Sequence, residues 1–190
     1  MTAKIILASA SPRRRELLAQ IGIQCDVIPA HIDETPRSGE RPAAYVIRVA
    51  AEKSLQVWQQ QSPSLPVLAA DTSVVIDDKI LGKPADKPHA FNMLQQLSGR
   101  THQVFTAVSV RADQHKEKLS VTDVTFRKLT KAEIMAYCET GEPNDKAGAY
   151  GIQGKGAIFV QSIQGSFSGV VGLPLLETAE LLNNIGIHVV

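Results

Sequence analysis

An acid and a lysine, Asp71 and Lys83, flank a short predicted hairpin that contains apolar runs. The apolar run at 67–70 predicts a strand buried on both faces, and Asp71 follows at the predicted end of that strand. A second apolar run at 74–76 leads into a turn at 77–78. A carboxylate between two apolar runs is costly to bury unless it is paired, and the hairpin would bring Lys83 back towards it. This stretch predicts a site for a metal-bound phosphate; alternatively, Asp71 caps a turn and Lys83 is a solvated surface residue.

Three consecutive arginines open the first predicted helix. Ser11 suits the N-cap and Pro12 the first helical position, which places Arg13, Arg14 and Arg15 in the first turn. The helix macrodipole is positive there, so each exposed cation costs roughly a few tenths of a kcal/mol. That cost is explained if free backbone N–H groups and arginine side chains bind an anion. The alternative is a solvated basic patch.

Two further charged positions have types suited to the same chemistry. Glu34 lies in a polar loop, and Mg²⁺ takes one or two carboxylates together with phosphate oxygens; an acidic loop residue is also commonly just solvated. Lys53 falls on the apolar stripe of a long helix predicted over 42–58, where a lysine either extends along its stem to solvent or meets an anion in a cleft. Arginines, lysines and carboxylates together predict a phosphate-ester or phosphoanhydride site.

The sequence contains no residue pattern typical of the zinc, serine-nucleophile or Walker A classes of active site. The five histidines are scattered without the spacing of a zinc site, and no Gly-x-Ser-x-Gly segment is present. The glycine-rich segment 145–156 is not a Walker A loop, because Gly154 and Lys155 are followed by Gly156 rather than Ser or Thr. Nucleic acid is an unfavourable partner, since the net charge is +1 and aromatic residues make up only 5%.

The composition, with 44% hydrophobic and 21% charged residues, is that of a globular domain. Strands and helices alternate at first and a strand-rich middle follows, which predicts an α/β fold with a mixed sheet. Two cysteines without metal-type spacing and a short apolar start predict a cytoplasmic protein without a membrane segment. Helices are predicted from 12 and over 42–58, 88–97, 132–138 and 175–184; strands over 5–8, 23–29, 67–70, 102–110, 119–126 and 157–163, with the second apolar run at 74–76 and an exposed turn at 111–118.

Five motifs resemble blocks of the Maf family of nucleoside triphosphate pyrophosphatases, also called septum-formation inhibitor proteins: residues 8–14, 69–72, 82–84, 145–154 and 167–174. The likeness spans nearly the whole chain and keeps the motif order. It implies a single domain over 1–190 with an α/β fold like that of inosine triphosphate pyrophosphatases, in which two lobes flank a cleft. It also implies hydrolysis of a nucleoside triphosphate to the monophosphate and pyrophosphate with a divalent metal, Mg²⁺, Mn²⁺ or Co²⁺.

The resemblance assigns roles to individual residues. Asp71 matches the proton acceptor that would activate the water attacking the α-phosphorus, and Glu34 matches an acidic residue near the metal. The metal ligands implied are therefore Glu34 and Asp71. Substrate and phosphate contacts match at Ser9, Arg13, Lys53 and Lys83.

A subgroup can also be predicted from the resemblance. Arg13, Thr72 and Gln153 match the group that acts on dTTP and UTP, and a glutamine amide can serve the donor and acceptor edges of a pyrimidine. The alternatives are an N7-methyl-GTP or ITP pyrophosphatase, or a non-catalytic regulator of septum formation. The resemblance further implies a homodimer.

Overall fold

One mixed sheet of seven strands runs through the computed structural model, which describes residues 4–61 and 65–189. The strand order is β2-β1-β3-β5-β6-β7, with β4 paired to β3. Strand β1 is parallel to both its neighbours, and the other pairings are antiparallel. The strands are Lys4–Leu7 (β1), Gln24–Val27 (β2), Val67–Ile76 (β3), Lys79–Leu81 (β4), Thr101–Arg111 (β5), His115–Phe126 (β6) and Val160–Gln164 (β7). The mixed α/β class predicted from the alternating elements is confirmed.

Six α-helices and three short 3-10 helices surround the sheet within the described ranges. The α-helices are Pro12–Gln20 (α1), Pro42–Gln61 (α2), Lys87–Leu97 (α3), Lys131–Glu139 (α4), Phe167–Val171 (α5) and Leu175–Asn183 (α6). The 3-10 helices are Glu142–Asp145, Ala147–Ala149 and Lys155–Phe159. None of the helices in these ranges has the length and apolar character needed to cross a membrane.

The ten-residue strand β3 creates the opening in the sheet. On one side it pairs with β5 along nearly its whole length, from Val67 to Val75. On the other side β1 pairs only with 67–68 and β4 only with 74–76. Among the described residues, no strand pairs with this side of β3 between 69 and 73. The gap leaves a place for a cleft beside the middle of the strand.

Asp71 lies in the middle of β3, opposite Ala107 of β5. The prediction that it follows the end of the strand was wrong. The strand continues because residues 74–76 are also apolar and buried, and because β5 supplies backbone partners throughout. Asp71 is therefore held by the rigid centre of the sheet rather than by a loop.

Most predicted elements are present within a few residues of their predicted bounds. The hairpin turn is confirmed: Asp77 and Asp78 have φ values of +51° and +58°, as a two-residue turn with twisted strands requires. The exposed turn predicted at 111–118 was too long, because β6 already begins at His115. The last strand begins only at Val160, since a 3-10 helix precedes it, and helix α5 was not predicted.

Candidate active site

A cleft of about 550 Å³ opens beside the unpaired stretch of β3. Helix α1, helix α2, the β4 end and the glycine-rich segment supply its walls. All the residues that the sequence singled out as site residues line this one cleft: Ser9, Arg13, Glu34, Lys53, Asp71, Thr72, Lys83 and Gln153. Residues spread over about three-quarters of the chain are thus brought together around one space.

Lys53 joins two carboxylates at the base of the cleft. Its Nζ lies 2.9 Å from Asp71 Oδ1 and 3.0 Å from Glu34 Oε1. Lys53 is 9% exposed and Asp71 6%, whereas about half of the Glu34 side chain is exposed. Of the two alternatives for a lysine on the inner stripe of α2, the structure therefore shows the one in which it meets anions in a cleft.

Glu34 and Asp71 form a donor set that fits a divalent metal. Both contact the same ammonium group, so their oxygens lie close to one another, and their joint charge exceeds that of Lys53. Mg²⁺ typically takes one or two carboxylates and completes its shell with water and phosphate oxygens. Within the described residues, no group of three His, Cys, Asp or Glu side chains is arranged to hold a metal ion.

Arg14 is a component of the cleft that the sequence grouped with Arg13 and Arg15 but to which it assigned no role of its own. Its Nε donates to the Gly172 carbonyl at 2.8 Å, its Nη1 to Ser9 Oγ at 3.1 Å and its Nη2 to Thr72 Oγ1 at 3.3 Å. Burial lowers the pKa of Arg14, and the nearby negative charge of Asp71 opposes that shift. One guanidinium therefore fixes the relative positions of the strand–helix turn, the middle of β3 and the end of α5.

The helix periodicity does not separate Arg14 from Arg13. Arg14 precedes Leu18 by four residues and Arg13 precedes Leu17 by four, and both leucines are buried. Arg13 lies on the neighbouring face, and its Nη1 is 3.8 Å from Asp145 Oδ2 across the mouth of the cleft. The two adjacent arginines consequently have different surroundings.

The mouth of the cleft carries several charges. Asp145 pairs with Lys146 at 2.6 Å as well as with Arg13, and the hydrogen bond from Lys146 lowers the pKa of Asp145. Lys83 and Gln153 are exposed at this rim. An entering phosphate group would compete with Asp145 for the cations.

Tyr45 of α2 is a second residue that the sequence reasoning missed. Its hydroxyl donates to the Glu34 carbonyl at 2.9 Å and so ties the Glu34 loop to the helix. Burial, together with the charges of Asp71 and Glu34, raises the pKa of Tyr45 to about 12. The phenol therefore remains a neutral donor at physiological pH.

The fold and the cleft define an α/β protein built to hold an anionic, phosphate-bearing ligand against a buried carboxylate. The sequence matches the family described as Maf-like protein over residues 4–185, and the chain belongs to this family. The predicted family membership is confirmed.

Similar proteins agree in sequence and in fold. A dTTP/UTP pyrophosphatase of Methylococcus capsulatus is 55% identical over 97% of this chain and 92% of its own length. One from Nitrosomonas europaea is 53% identical over 97% of this chain and 96% of its own length. A crystal structure of a nucleoside-triphosphatase, dITP/XTP pyrophosphatase from Mycobacterium abscessus, has a TM-score of 0.50 at 14% identity, covering 96% of this chain and 94% of that one. The structural likeness shows a shared fold.

Proposed function

We propose that this protein hydrolyses dTTP and UTP to the nucleoside monophosphate and pyrophosphate. The observation that carries the proposal is the buried pair of Lys53 and Asp71 at the base of a cation-lined cleft. The relatives named dTTP/UTP pyrophosphatases support the choice of substrate, since they match nearly the whole chain at more than half identity.

Asp71 is the general base of the proposed reaction. Lys53 occupies its Oδ1, and a water molecule at Oδ2 would give up a proton as its oxygen attacks the α-phosphorus. The bond from the water oxygen to phosphorus forms, and the bond from the α-phosphorus to the bridging oxygen breaks. The electron pair of the broken bond leaves with pyrophosphate. Because Lys53 holds the carboxylate in one orientation, the base is positioned before the substrate arrives.

The cations of the cleft would hold the triphosphate. Arg13 and Lys83 lie at the rim, where they can bind phosphate oxygens, and Ser9 lies deeper beside Arg14. A divalent metal, held by Glu34 and Asp71, would neutralise the charge that develops on the phosphate oxygens. The side chains of Arg13, Thr72 and Gln153 would select the pyrimidine base.

Product analysis across nucleotides tests the proposal. We expect pyrophosphate, and no orthophosphate, from dTTP and UTP in the presence of Mg²⁺ or Mn²⁺, with little from CTP, ITP or N7-methyl-GTP. Asp71→Asn should lower turnover at least about a hundredfold, the range for loss of a general base. Asp77→Asn, in the exposed hairpin turn, is the matched control and should keep full turnover.

The other outcomes separate the alternatives. Pyrophosphate from N7-methyl-GTP or ITP alone would keep the reaction and overturn the pyrimidine assignment. Orthophosphate as the product would overturn attack at the α-phosphorus. No product from any nucleotide would favour a non-catalytic regulator of septum formation.

Cytoplasmic location and a homodimer belong to the same proposal. The two cysteines, Cys25 and Cys138, are free thiols in the structure, as suits a reducing compartment. The homodimer follows from the family resemblance, and light scattering of the purified protein would measure the mass.

A further inference from the structure

Gln153 stands at the tip of a tight turn in the glycine-rich segment. The Gly154 N–H donates to the Gly151 carbonyl at 3.3 Å and closes the turn, while Ile152 is buried in the core. Gln153 itself is exposed and lines the cleft. The position of its amide depends on what holds the two ends of this turn.

The carboxylate of Glu142 holds the far end of the turn. Its Oε2 accepts from the Lys155 N–H at 2.9 Å, and its Oε1 accepts from the Gly156 N–H at 3.1 Å. These are charge-assisted bonds to backbone donors, which are stronger than neutral ones. Burial alone would raise the pKa of Glu142, but the two N–H donors, the Tyr137 hydroxyl and the charge of Lys146 together lower that pKa, so the group is ionised at neutral pH.

Tyr137 connects the same carboxylate to the near end of the turn. Its hydroxyl donates to Glu142 Oε1 at 2.9 Å and accepts from the Gly151 N–H at 3.3 Å. Burial and the neighbouring carboxylate raise the pKa of Tyr137, which keeps the hydroxyl protonated as a donor. Both ends of the turn are thus bound to one network of two side chains.

The glycines around Gln153 are required by this network. A Cβ on Gly154 would lie 2.4 Å from Glu142 Oε1, and a Cβ on Gly156 would lie 2.8 Å from the Tyr137 hydroxyl. Neither position leaves room for a side chain while the carboxylate and the phenol stay in place. The glycine-rich segment, which is not a Walker A loop, is therefore explained by close approach to side chains of its own protein.

We propose that Glu142 is a positioning residue for base selection, which acts by fixing the turn that presents Gln153 to the nucleobase. The inference rests on the proposed function, since it assigns the source of selectivity for that same site. The hydrogen bonds of the Glu142 carboxylate go to Tyr137, Lys155 and Gly156 and not to Asp71 or Lys53, so we expect its effect at the base end of the substrate.

The test uses Glu142→Gln, which keeps the shape of the side chain but turns one of its two acceptors into a donor facing an N–H group. We expect kcat/KM for dTTP to fall about tenfold, as for loss of one charge-assisted hydrogen bond, with the change in KM and not in kcat. A triphosphate of deoxyribose without a base should be hydrolysed by the variant as by the wild type. Glu139→Gln, which alters an exposed carboxylate of the neighbouring α4, is the matched control.

A double-mutant cycle with Gln153→Ala gives the deciding measurement. In the Gln153→Ala background, Glu142→Gln should cause no further loss with dTTP. Independent, additive effects, a fall in kcat, or an equal loss with the baseless substrate would overturn the proposal. If Glu142→Gln does not fold, as judged by its thermal transition, Tyr137→Phe replaces it and is expected to give the same pattern. A wild-type protein that is inactive towards all nucleotides would instead overturn the proposed function.

Discussion

Lys53 Nζ lies 2.9 Å from Asp71 Oδ1, although the lysine belongs to the middle of a long helix and the aspartate to the middle of a central strand. Both side chains are about nine-tenths buried. Asp71 therefore depends on Lys53, whereas Lys53 also contacts the half-exposed Glu34, so removal of Lys53 leaves the Asp71 charge in an environment that disfavours it.

Replacement of Lys53 tests this dependence. We expect Lys53→Met to lower the free energy of unfolding by about 2 kcal/mol at pH 7. This loss is smaller than the loss on breaking a fully enclosed ion pair, because the cleft admits water. Lys53→Met combined with Asp71→Asn should recover most of that loss, since the buried carboxylate is then neutral and the Glu34 carboxylate that has lost Lys53 is half-exposed. Urea unfolding measures the free energy of unfolding of the single and the double variant. The control is Lys87→Met, which breaks an exposed ion pair with Glu139 and should change that free energy by less than about 0.5 kcal/mol. Equal losses for the single and double variants would contradict the argument.

The two adjacent arginines of α1 should give opposite patterns on substitution. Arg14→Ala removes three hydrogen bonds and leaves the Gly172 carbonyl without its side-chain donor, so we expect a loss of about 2 kcal/mol in unfolding free energy. Arg13→Ala removes only a long, partly exposed contact to Asp145 and should leave stability within about 0.5 kcal/mol while raising KM for dTTP. Urea unfolding and initial-rate kinetics on both variants check this, and a destabilised Arg13→Ala would refute the division of roles.

The metal assignment can be tested at Glu34. Glu34 is half-exposed, and no buried charge depends on Glu34 as its only partner. Glu34→Gln should therefore fold like the wild type. We expect a chelator to abolish hydrolysis, Mg²⁺, Mn²⁺ or Co²⁺ to restore it, and the variant to need about tenfold more metal for half-maximal rate. Asp33→Asn, one residue earlier in the same loop, is the matched control. An unchanged metal requirement in Glu34→Gln would remove Glu34 from the ligand set.

The sequence predicted what depends on local pattern and on recognisable motifs. The turn at Asp77 and Asp78 and the inward orientation of Lys53 both follow from spacing of a few residues, and the structure shows both of them. The motifs were sufficient to name residues that lie far apart in the chain and line one cleft.

What the sequence could not predict depends on partners that are distant in the chain. Asp71 was placed at a strand end because nothing nearby in sequence shows that β5 would support the strand through it. Arg14 bonds to Gly172, which lies 158 residues away, and the run of three arginines does not show which one turns inward. Glu142 was overlooked for the same reason, since its backbone partners follow 13 and 14 residues later.

His102 should make stability depend on pH. Its ring lies against Phe126 and Tyr150, and its Nε2 is 2.8 Å from the Tyr150 hydroxyl, while its Nδ1 finds no partner within the described residues. Burial lowers the pKa of His102 to about 4, from an ordinary value of 6.5. The folded protein therefore holds this imidazole neutral at pH values where the unfolded chain binds a proton.

The sign of the effect follows from that difference in proton binding. Above pH 6.5 neither the folded nor the unfolded state protonates His102, and its contribution to the free energy of unfolding is fully present. As the pH falls from 6.5 to about 4, the unfolded state binds a proton at His102 and the folded state does not. Across this pH window the free energy of unfolding of the wild type should fall by up to about 3 kcal/mol more than that of His102→Phe. The phenylalanine cannot titrate, and it keeps an aromatic ring against Phe126. Urea unfolding of both proteins at intervals from pH 4 to 7 measures the difference, in which carboxylates common to both cancel. Parallel curves would show that the imidazole is protonated in the folded state, and hence that the pocket around Tyr150 admits a counter-charge or water.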